Sequence, residues 1–444
     1  MKKLYSFIAA GLMLTSAAQL SAQCGGGRYH DYIFPTPPTP MSNIVYGSNV
    51  TATGATLSLK LDVYQPVGDT ATSRALIIIA HGGSFYTGSK IGPDVTPLAK
   101  DFAKMGYVTA SIDYRLGMTN FPFADASAGA AGHTVDSTDA GAAVMRAVHD
   151  GRAAVRFFRK NAAIGGNTYK IDTNKIYFAG VSAGGFVAVH IAYMDLLSEF
   201  PSYVDTTGVH SGTVHGQPGM SGGLEGNSGN PGYSSKVNGV INICGALGDT
   251  AWMSPGDVPI QSFHGTNDNT VPYGSATIYL AGSFPLLVVD GSASIALQAD
   301  NLGIVNCFET FEGADHTPEI SGGTAATKAA YYDTIIVEAR NFLEHLNCGI
   351  ALNCNYTMAL GVNNHTADAD FMIYPNPAGN SATIDLTAFE NEAVSIELYD
   401  AMGRQVKNIS NIKVNQYTLE RNNLPSGIYF MSVLVEGKIR SKKI

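Results

Sequence analysis

Short runs of apolar, largely β-branched residues recur along the first three quarters of the chain and predict buried strands. Between them, apolar residues spaced three or four apart predict amphipathic helices at Ala143–Asn161 and Thr327–Leu346. Apolar and polar residues alternate over residues 43–65, which predicts a β-hairpin ahead of the α/β pattern. Continuous apolar strands separated by helices are typical of a mostly parallel sheet covered on both faces, so we predict a doubly wound α/β domain. The predicted strands are Ala75–Ala80, Tyr107–Ile112, Lys175–Ala179, Val237–Cys244, Val258–His264 and Ile304–Phe311.

Two long stretches interrupt this alternation of strands and helices. Gly117–Ala142 and Thr206–Ser235 are rich in Gly, Ala, Ser, Asn and Thr. Loops this long in a compact domain are usually functional or mobile. They are either solvated insertions or the rim of a substrate site, and we favour the rim.

The pattern changes after Leu346. Residues 351–370 show no hydrophobic period and are interpreted as a linker. Residues 371–444 then alternate short strands with turns, which predicts a small β-sandwich. Its predicted strands are Val394–Tyr399, Tyr417–Leu419 and Ile428–Val435. The predicted organisation is an α/β domain over residues 23–350, the linker, and the sandwich.

The amino terminus has the pattern of an export signal. Lys2 and Lys3 precede the apolar stretch Leu4–Leu14, and small residues follow as far as Ala22. This pattern predicts a signal peptide over residues 1–22. The rest of the chain has no run of about 18 uninterrupted apolar residues, so we predict no transmembrane segment.

Charge and cysteine content narrow the possible partners. The 27 Lys+Arg and 36 Asp+Glu residues give a net charge of −9, and no basic cluster suited to nucleic acid is present. Five cysteines in an exported chain permit disulfides. Cys348 and Cys354 are the favoured pair, and a link from Cys24 stays open. No Cys or His spacing typical of zinc occurs, so no metal site is predicted.

The strongest chemical signal is the segment Gly180-Val-Ser182-Ala-Gly184-Gly185. It follows a predicted strand and precedes a helical run. A sharp strand-to-helix turn needs glycines so that the backbone can close up, and it leaves the serine hydroxyl exposed at the edge of the sheet. Ser182 is therefore the predicted nucleophile, although the G-x-S-x-G pattern alone occurs by chance in glycine-rich chains.

A second glycine-rich segment, His81-Gly82-Gly83-Ser84, follows the strand Ala75–Ala80. Consecutive glycines after a strand can turn their N–H groups toward a reacting carbonyl oxygen. With the N–H of Ala183, Gly82 and Gly83 would form an oxyanion hole, a feature worth about 10²–10³ in rate for each donor.

An acid and a histidine follow the last two predicted strands of the α/β domain. These are Asp268 and His316, and they complete the chain order Ser…Asp…His. The carboxylate can accept the Nδ1–H of the imidazole and hold its tautomer. Asp249 and Asp315 are rival acids, and we place Asp268 ahead of both.

Residues from about 60 to 346 resemble the α/β-hydrolase-fold esterases, in their carboxylesterase and hormone-sensitive-lipase-like branches. Ser84 departs from the usual H-G-G-G motif, which matters little if the glycines donate. The resemblance implies hydrolysis of carboxylic esters through Ser182, His316 and Asp268, and a generally structural role for Tyr114 and Arg115. The matching residues are His81-Gly-Gly-Ser84, Ser111-Ile-Asp-Tyr-Arg115, Asp150 with Ala153-Ala-Val-Arg156, and Gly180-Val-Ser-Ala-Gly-Gly185.

Residues 371–444 resemble the type A sorting domain of the type IX secretion system of Bacteroidetes. This resemblance implies that the secretion machinery is a partner and that the chain crosses the outer membrane to the cell surface or the medium. The residues that carry it are Tyr374-Pro-Asn-Pro377, Leu398-Tyr-Asp-Ala-Met-Gly403, Leu424-Pro-Ser-Gly-Ile-Tyr429 and the tail Val435–Ile444.

The sequence therefore predicts a secreted serine ester hydrolase without a cofactor. Its expected substrates are short-chain, acetyl or feruloyl esters of external material, either small molecules or groups linked to a polymer. Three alternatives stay open: a serine peptidase of the prolyl-oligopeptidase type, a polyester hydrolase, and an inert hydrolase fold that only binds. Ala183 and the His81-Gly-Gly segment favour an esterase over the peptidase, which usually has a bulky aromatic residue after the nucleophile.

Overall fold

The computed structural model describes most of the chain in two compact units, Met1–Asn355 and Tyr356–Ile444. Several predicted features lie outside the described residues: the signal peptide, most of the linker and parts of both long loops. The division of the chain into signal peptide, α/β domain, linker and sandwich, with the bounds given above, therefore stays a prediction. The residues described are 24–118, 137–201, 204, 218–280, 284–354, 371–389, 392–400, 405–435 and 438–444.

A mixed eight-stranded sheet organises the first unit. Its strands are β1 (Met41–Val50), β2 (Thr56–Tyr64), β3 (Arg74–Ala80), β4 (Val108–Ile112), β5 (Ile171–Val181), β6 (Val240–Ile243), β8 (Ile260–Gly265) and β11 (Asn306–Phe311). They lie in the order β1-β2-β4-β3-β5-β6-β8-β11. The first two strands form the predicted hairpin, and the strands from β4 across to β11 run parallel to one another.

Helices cover both faces of this sheet. They are α1 (Thr96–Lys104), α2 (Ser137–Ile164), α3 (Ala183–Tyr193), α4 (Ser292–Leu302), α5 (Pro318–Ser321) and α6 (Ala325–Cys348), with 3₁₀ turns at Leu197–Glu199 and Thr250–Trp252. In β3, Ala75, Ile77 and Ile79 pack on the face of α1 and α6, while the alternate residues pack on the face of α2, α3 and α4. This arrangement confirms the predicted doubly wound α/β class and both predicted helices.

A second, three-stranded sheet lies between β6 and α4 in the chain and was not predicted. It consists of β7 (Ala246–Leu247), β9 (Ser275–Leu280) and β10 (Phe284–Gly291), in the order β7-β10-β9. The strands β9 and β10 form an antiparallel hairpin with a bulge between Pro285 and Leu287. The bulge breaks the strict alternation by which a strand is recognised in sequence.

A buried ion pair fastens the segment after β4 to helix α2. The side chains of Arg115 and Asp150 are both fully buried, with 2.8 Å between Nη2 and Oδ1. The guanidinium also donates to the carbonyl oxygens of Val50 and Gly219. Because the guanidinium of Arg115 donates to Asp150 and to backbone carbonyl oxygens, Arg115 has a structural role.

The disulfides correct the favoured pairing of Cys348 with Cys354. Cys24 is bonded to Cys348, and Cys307 is bonded to Cys354. Cys348 ends α6, where it meets the start of the described chain, while the following segment runs on to the edge strand β11 and Cys307. The link from Cys24 that the sequence left open is therefore the one formed, and Cys244 is free and buried.

The second unit consists of two antiparallel sheets around their own apolar core, as predicted for a β-sandwich. A 3₁₀ turn at Thr387–Phe389 also belongs to this unit. One sheet contains β12 (Met372–Tyr374), β13 (Ser381–Asp385) and β16 (Gln416–Glu420), and the other contains β14 (Val394–Asp400), β15 (Gln405–Ile412), β17 (Tyr429–Val435) and β18 (Lys438–Lys443).

No helix in the described part of the chain combines the length and apolarity needed to cross a bilayer.

Candidate active site

Ser182 lies at the tight turn between β5 and α3, the strand–turn–helix context that the sequence predicts. Its φ of 55° and ψ of −118° are unusual for a residue with a side chain, and such strain is found mainly where the fold holds a functional group in place. The turn is possible because Gly180 lacks a Cβ, which would overlap the carbonyl of Gly184. The Ser182 N–H donates to Ile243 O at 2.7 Å, which anchors the turn to β6.

His316 connects the serine to an acid. Its Nε2 lies 2.8 Å from Ser182 Oγ, and its Nδ1 lies 2.6 Å from Asp268 Oδ2. Asp268 comes from the loop after β8 and His316 from the loop after β11, and these two strands are parallel neighbours in the sheet. Because the carboxyl ends of parallel neighbours meet at one edge, the topology places acid and base together. The structure thus brings together all three residues of the predicted Ser…Asp…His order.

The Asp268 carboxylate is buried and richly hydrogen-bonded. Its Oδ1 accepts from the N–H groups of Thr270 and Val271, both at 2.8 Å, and its Oδ2 lies 3.2 Å from His264 Nε2. Burial alone would raise the pKa of Asp268, but the hydrogen bonds from His264 and His316 outweigh it and lower the pKa below the ordinary value. The carboxylate therefore stays ionised and can orient the imidazole through Nδ1–H.

The two rival acids have other hydrogen-bond partners. Asp249 is exposed, and its Oδ1 accepts from the N–H of Ala251 at the start of a 3₁₀ turn. Asp315 Oδ1 accepts from the backbone N–H groups of His316 and Asn269. Asp315 thus shapes the histidine loop, while Asp268 contacts the ring itself.

The glycine-rich segment after β3 lies against the nucleophile turn. A Cβ on Gly82 would come within 3.2 Å of Ser182 Cβ, which shows how close the two turns are. The Gly82 N–H, however, donates to Asp94 Oδ2 at 2.7 Å. Among the described residues none accepts from the Gly83 N–H, and Ala183 is the first residue of α3, so its N–H has no acceptor within the helix. Gly83 and Ala183 are the available donors, and a role for Gly82 requires that Asp94 release it.

An apolar cavity of about 310 Å³ opens beside Ser182. One wall is the β9–β10 hairpin, which contributes Ile278, Leu286 and Leu287. No predicted element corresponds to this wall, although the apolar run Leu286–Val289 is the signal that could have revealed it. The other apolar side chains of the cavity include Phe85, Met118, Val144 and Phe186.

Two family models match the chain. Residues 61–128 and 137–246 match the model described as BD-FAE. This match includes Ser182 and the glycine-rich segment after β3, but it ends before Asp268 and His316. Residues 372–444 match the secretion system C-terminal sorting domain. A search of curated protein sequences finds no match.

Solved structures of esterase 2 from the planctomycete Thermogutta terrifontis are similar to the chain. The form phosphorylated by paraoxon is 23% identical over 70% of this chain and 95% of its own, with a TM-score of 0.45. The propionate-bound form is 21% identical over 70% and 96%, with a TM-score of 0.46.

The first unit is a carboxylesterase-type hydrolase with the α/β-hydrolase fold. The chain as a whole joins this esterase unit to a sorting domain over residues 372–444. That domain marks the protein for export through the type IX secretion system to the cell surface or the medium.

Proposed function

We propose that the protein hydrolyses carboxylic esters through Ser182, His316 and Asp268. Ser182 Oγ attacks the ester carbonyl while His316 Nε2 takes its proton, and the imidazolium then protonates the leaving alcohol. Water hydrolyses the acyl-enzyme by the same route. The observation that carries this proposal is the continuous hydrogen-bonded path from Ser182 Oγ to Asp268 Oδ2, with steps of 2.8 and 2.6 Å.

The tetrahedral oxyanion would be stabilised by backbone N–H groups. Gly83 and Ala183 supply the donors, with Gly82 as a third when Asp94 releases it. The amino terminus of α3 adds a partial positive charge at the same place. These donors are fixed before the reaction starts, which is why such sites stabilise developing charge effectively.

The cavity favours substrates whose acyl or aryl group is apolar and uncharged. Its described lining is mostly aliphatic and aromatic, and burial of such surface contributes about 25 cal/mol per Å². A volume of about 310 Å³ suits a short or medium acyl chain or a single aromatic ring. Together with export to the outside, this supports short-chain or feruloyl esters on external material as the natural substrates.

Initial rates on four model compounds test the proposal. These are the acetyl, butyryl and octanoyl p-nitrophenyl esters and an aminoacyl p-nitroanilide. Turnover of the esters without turnover of the anilide is expected. Preference for the anilide would replace the proposal with the peptidase alternative, and failure of all four would favour the inert binding fold.

Filling the cavity from the β9–β10 hairpin is expected to shift chain-length preference. Leu287→Trp should lower the ratio of octanoyl to acetyl turnover roughly tenfold or more, because an indole would occupy the space of the longer chain. Val288→Trp is the matched control, since Val288 neighbours Leu287 but is 68% exposed. An equal ratio in both variants would contradict the assignment of this wall to the substrate pocket.

A further inference from the structure

Cys244 is a free, buried thiol close to the proposed acid–base pair of Asp268 and His316. All five cysteines are described, and the other four form the two disulfides. Cys244 follows β6 with a φ of 52°, and its N–H donates to Phe263 O at 2.8 Å. The possible ligand atoms of Cys244, Asp268 and His316 all lie within 4.8 Å of one another. No other group of three such side chains is as close together within the described ranges.

These three side chains form a donor set for a thiophilic cation. A thiolate, an imidazole nitrogen and a carboxylate oxygen bind Zn²⁺ at about 2.0–2.3 Å, and three protein ligands leave a fourth position open for water. The 2.6 Å hydrogen bond between His316 Nδ1 and Asp268 Oδ2 must open for the three atoms to reach these distances. The three ligands come from the segments that follow β6, β8 and β11, which are neighbouring parallel strands of the sheet.

We propose that Cys244, Asp268 and His316 form an inhibitory site for a thiophilic divalent cation such as Zn²⁺ or Cd²⁺. On binding, the Cys244 thiol loses its proton to water, and the Nδ1 proton of His316 moves to Nε2 as Nδ1 binds the metal. Asp268 exchanges its hydrogen bond from His316 for coordination. The imidazole then has no free nitrogen to accept the proton of Ser182, so ester hydrolysis stops.

Entry to the site is restricted. Cys244 and the Asp268 side chain are fully buried, and the His316 side chain is 17% exposed. The cation must therefore displace the imidazole edge before it reaches sulfur. Inhibition is therefore expected to develop slowly rather than within the mixing time. A chelator should reverse it.

Two measurements on the full-length protein test the site, and only the first depends on the proposed function. In the first, Zn²⁺ is titrated against p-nitrophenyl butyrate turnover after treatment with a chelator. Zn²⁺ should inhibit the wild-type protein. Cys244→Ser should need at least about tenfold more Zn²⁺ for the same loss of turnover. Equal sensitivity of the two proteins would overturn the proposal.

The second measurement is the ultraviolet absorption of a cadmium–thiolate bond when Cd²⁺ is added to Ser182→Ala. This variant keeps all three ligands but lacks the nucleophile, so a failed esterase proposal would not affect the result. One Cd²⁺ per chain with thiolate absorption is expected, and the signal should be absent when Cys244→Ser is added to the same protein. Absence of thiolate absorption in Ser182→Ala would overturn the site even if Zn²⁺ slowed the enzyme.

Discussion

Ser182→Ala is expected to lower kcat for p-nitrophenyl butyrate by about 10⁴–10⁶-fold, the range found when the nucleophile of a triad is removed. Without Oγ no acyl-enzyme forms, and His316 has no proton to accept from the side chain at this turn. The remaining activity would come from the oxyanion donors and from substrate binding alone.

The loss should not come from misfolding. The hydrogen bond from Ser182 to Ile243 O is made by the backbone, and alanine retains it. An unchanged thermal unfolding midpoint would confirm that the fold is intact. Ser254→Ala, at an exposed position, serves as the control and should retain wild-type kcat. If Ser182→Ala kept a tenth of the wild-type rate or more, another residue would have to be the nucleophile.

Asp268→Asn is expected to lower kcat by about 10⁴-fold, because an amide in place of the carboxylate favours the wrong tautomer of His316. The present carboxylate accepts the Nδ1–H of the ring at 2.6 Å. An asparagine nitrogen facing Nδ1 would donate to it and leave the proton on Nε2, which then could not accept from Ser182. The measurement is kcat on the same ester at saturating substrate.

Asp249→Asn makes the same chemical change at the rival acid and is therefore the matched control. Asp249 is exposed and caps a 3₁₀ turn through Ala251, so its variant should keep nearly all of the wild-type kcat. A large loss in Asp249→Asn with little loss in Asp268→Asn would move the acid to the end of the preceding strand.

The fold class and the candidate nucleophile could be predicted because their signals are local. The apolar run Ile176–Ala179 in β5 indicates a buried strand, and the glycines after it permit a sharp strand-to-helix turn, so the sequence predicts Ser182 as the nucleophile. His316 and Asp268 followed from chain order, since parallel strands bring their carboxyl ends to one edge.

Features that depend on distant contacts could not be predicted from sequence. Cys348 and Cys354 are near each other in the chain, yet each pairs with a distant cysteine that the folded backbone brings close. The bond from Gly82 to Asp94 likewise joins segments whose packing no local pattern reveals. The hairpin wall of the cavity was missed because its bulge breaks the two-residue period.

Covalent labelling with a fluorophosphonate tests the central claim most directly, because such reagents react with an activated serine and not with an ordinary hydroxyl. We expect one adduct per chain, located by peptide mass spectrometry on the peptide that contains Ser182. His316→Ala, which removes the base, should greatly slow its formation. Labelling at a different residue, or equally fast labelling in His316→Ala, would contradict a Ser182 nucleophile activated by His316.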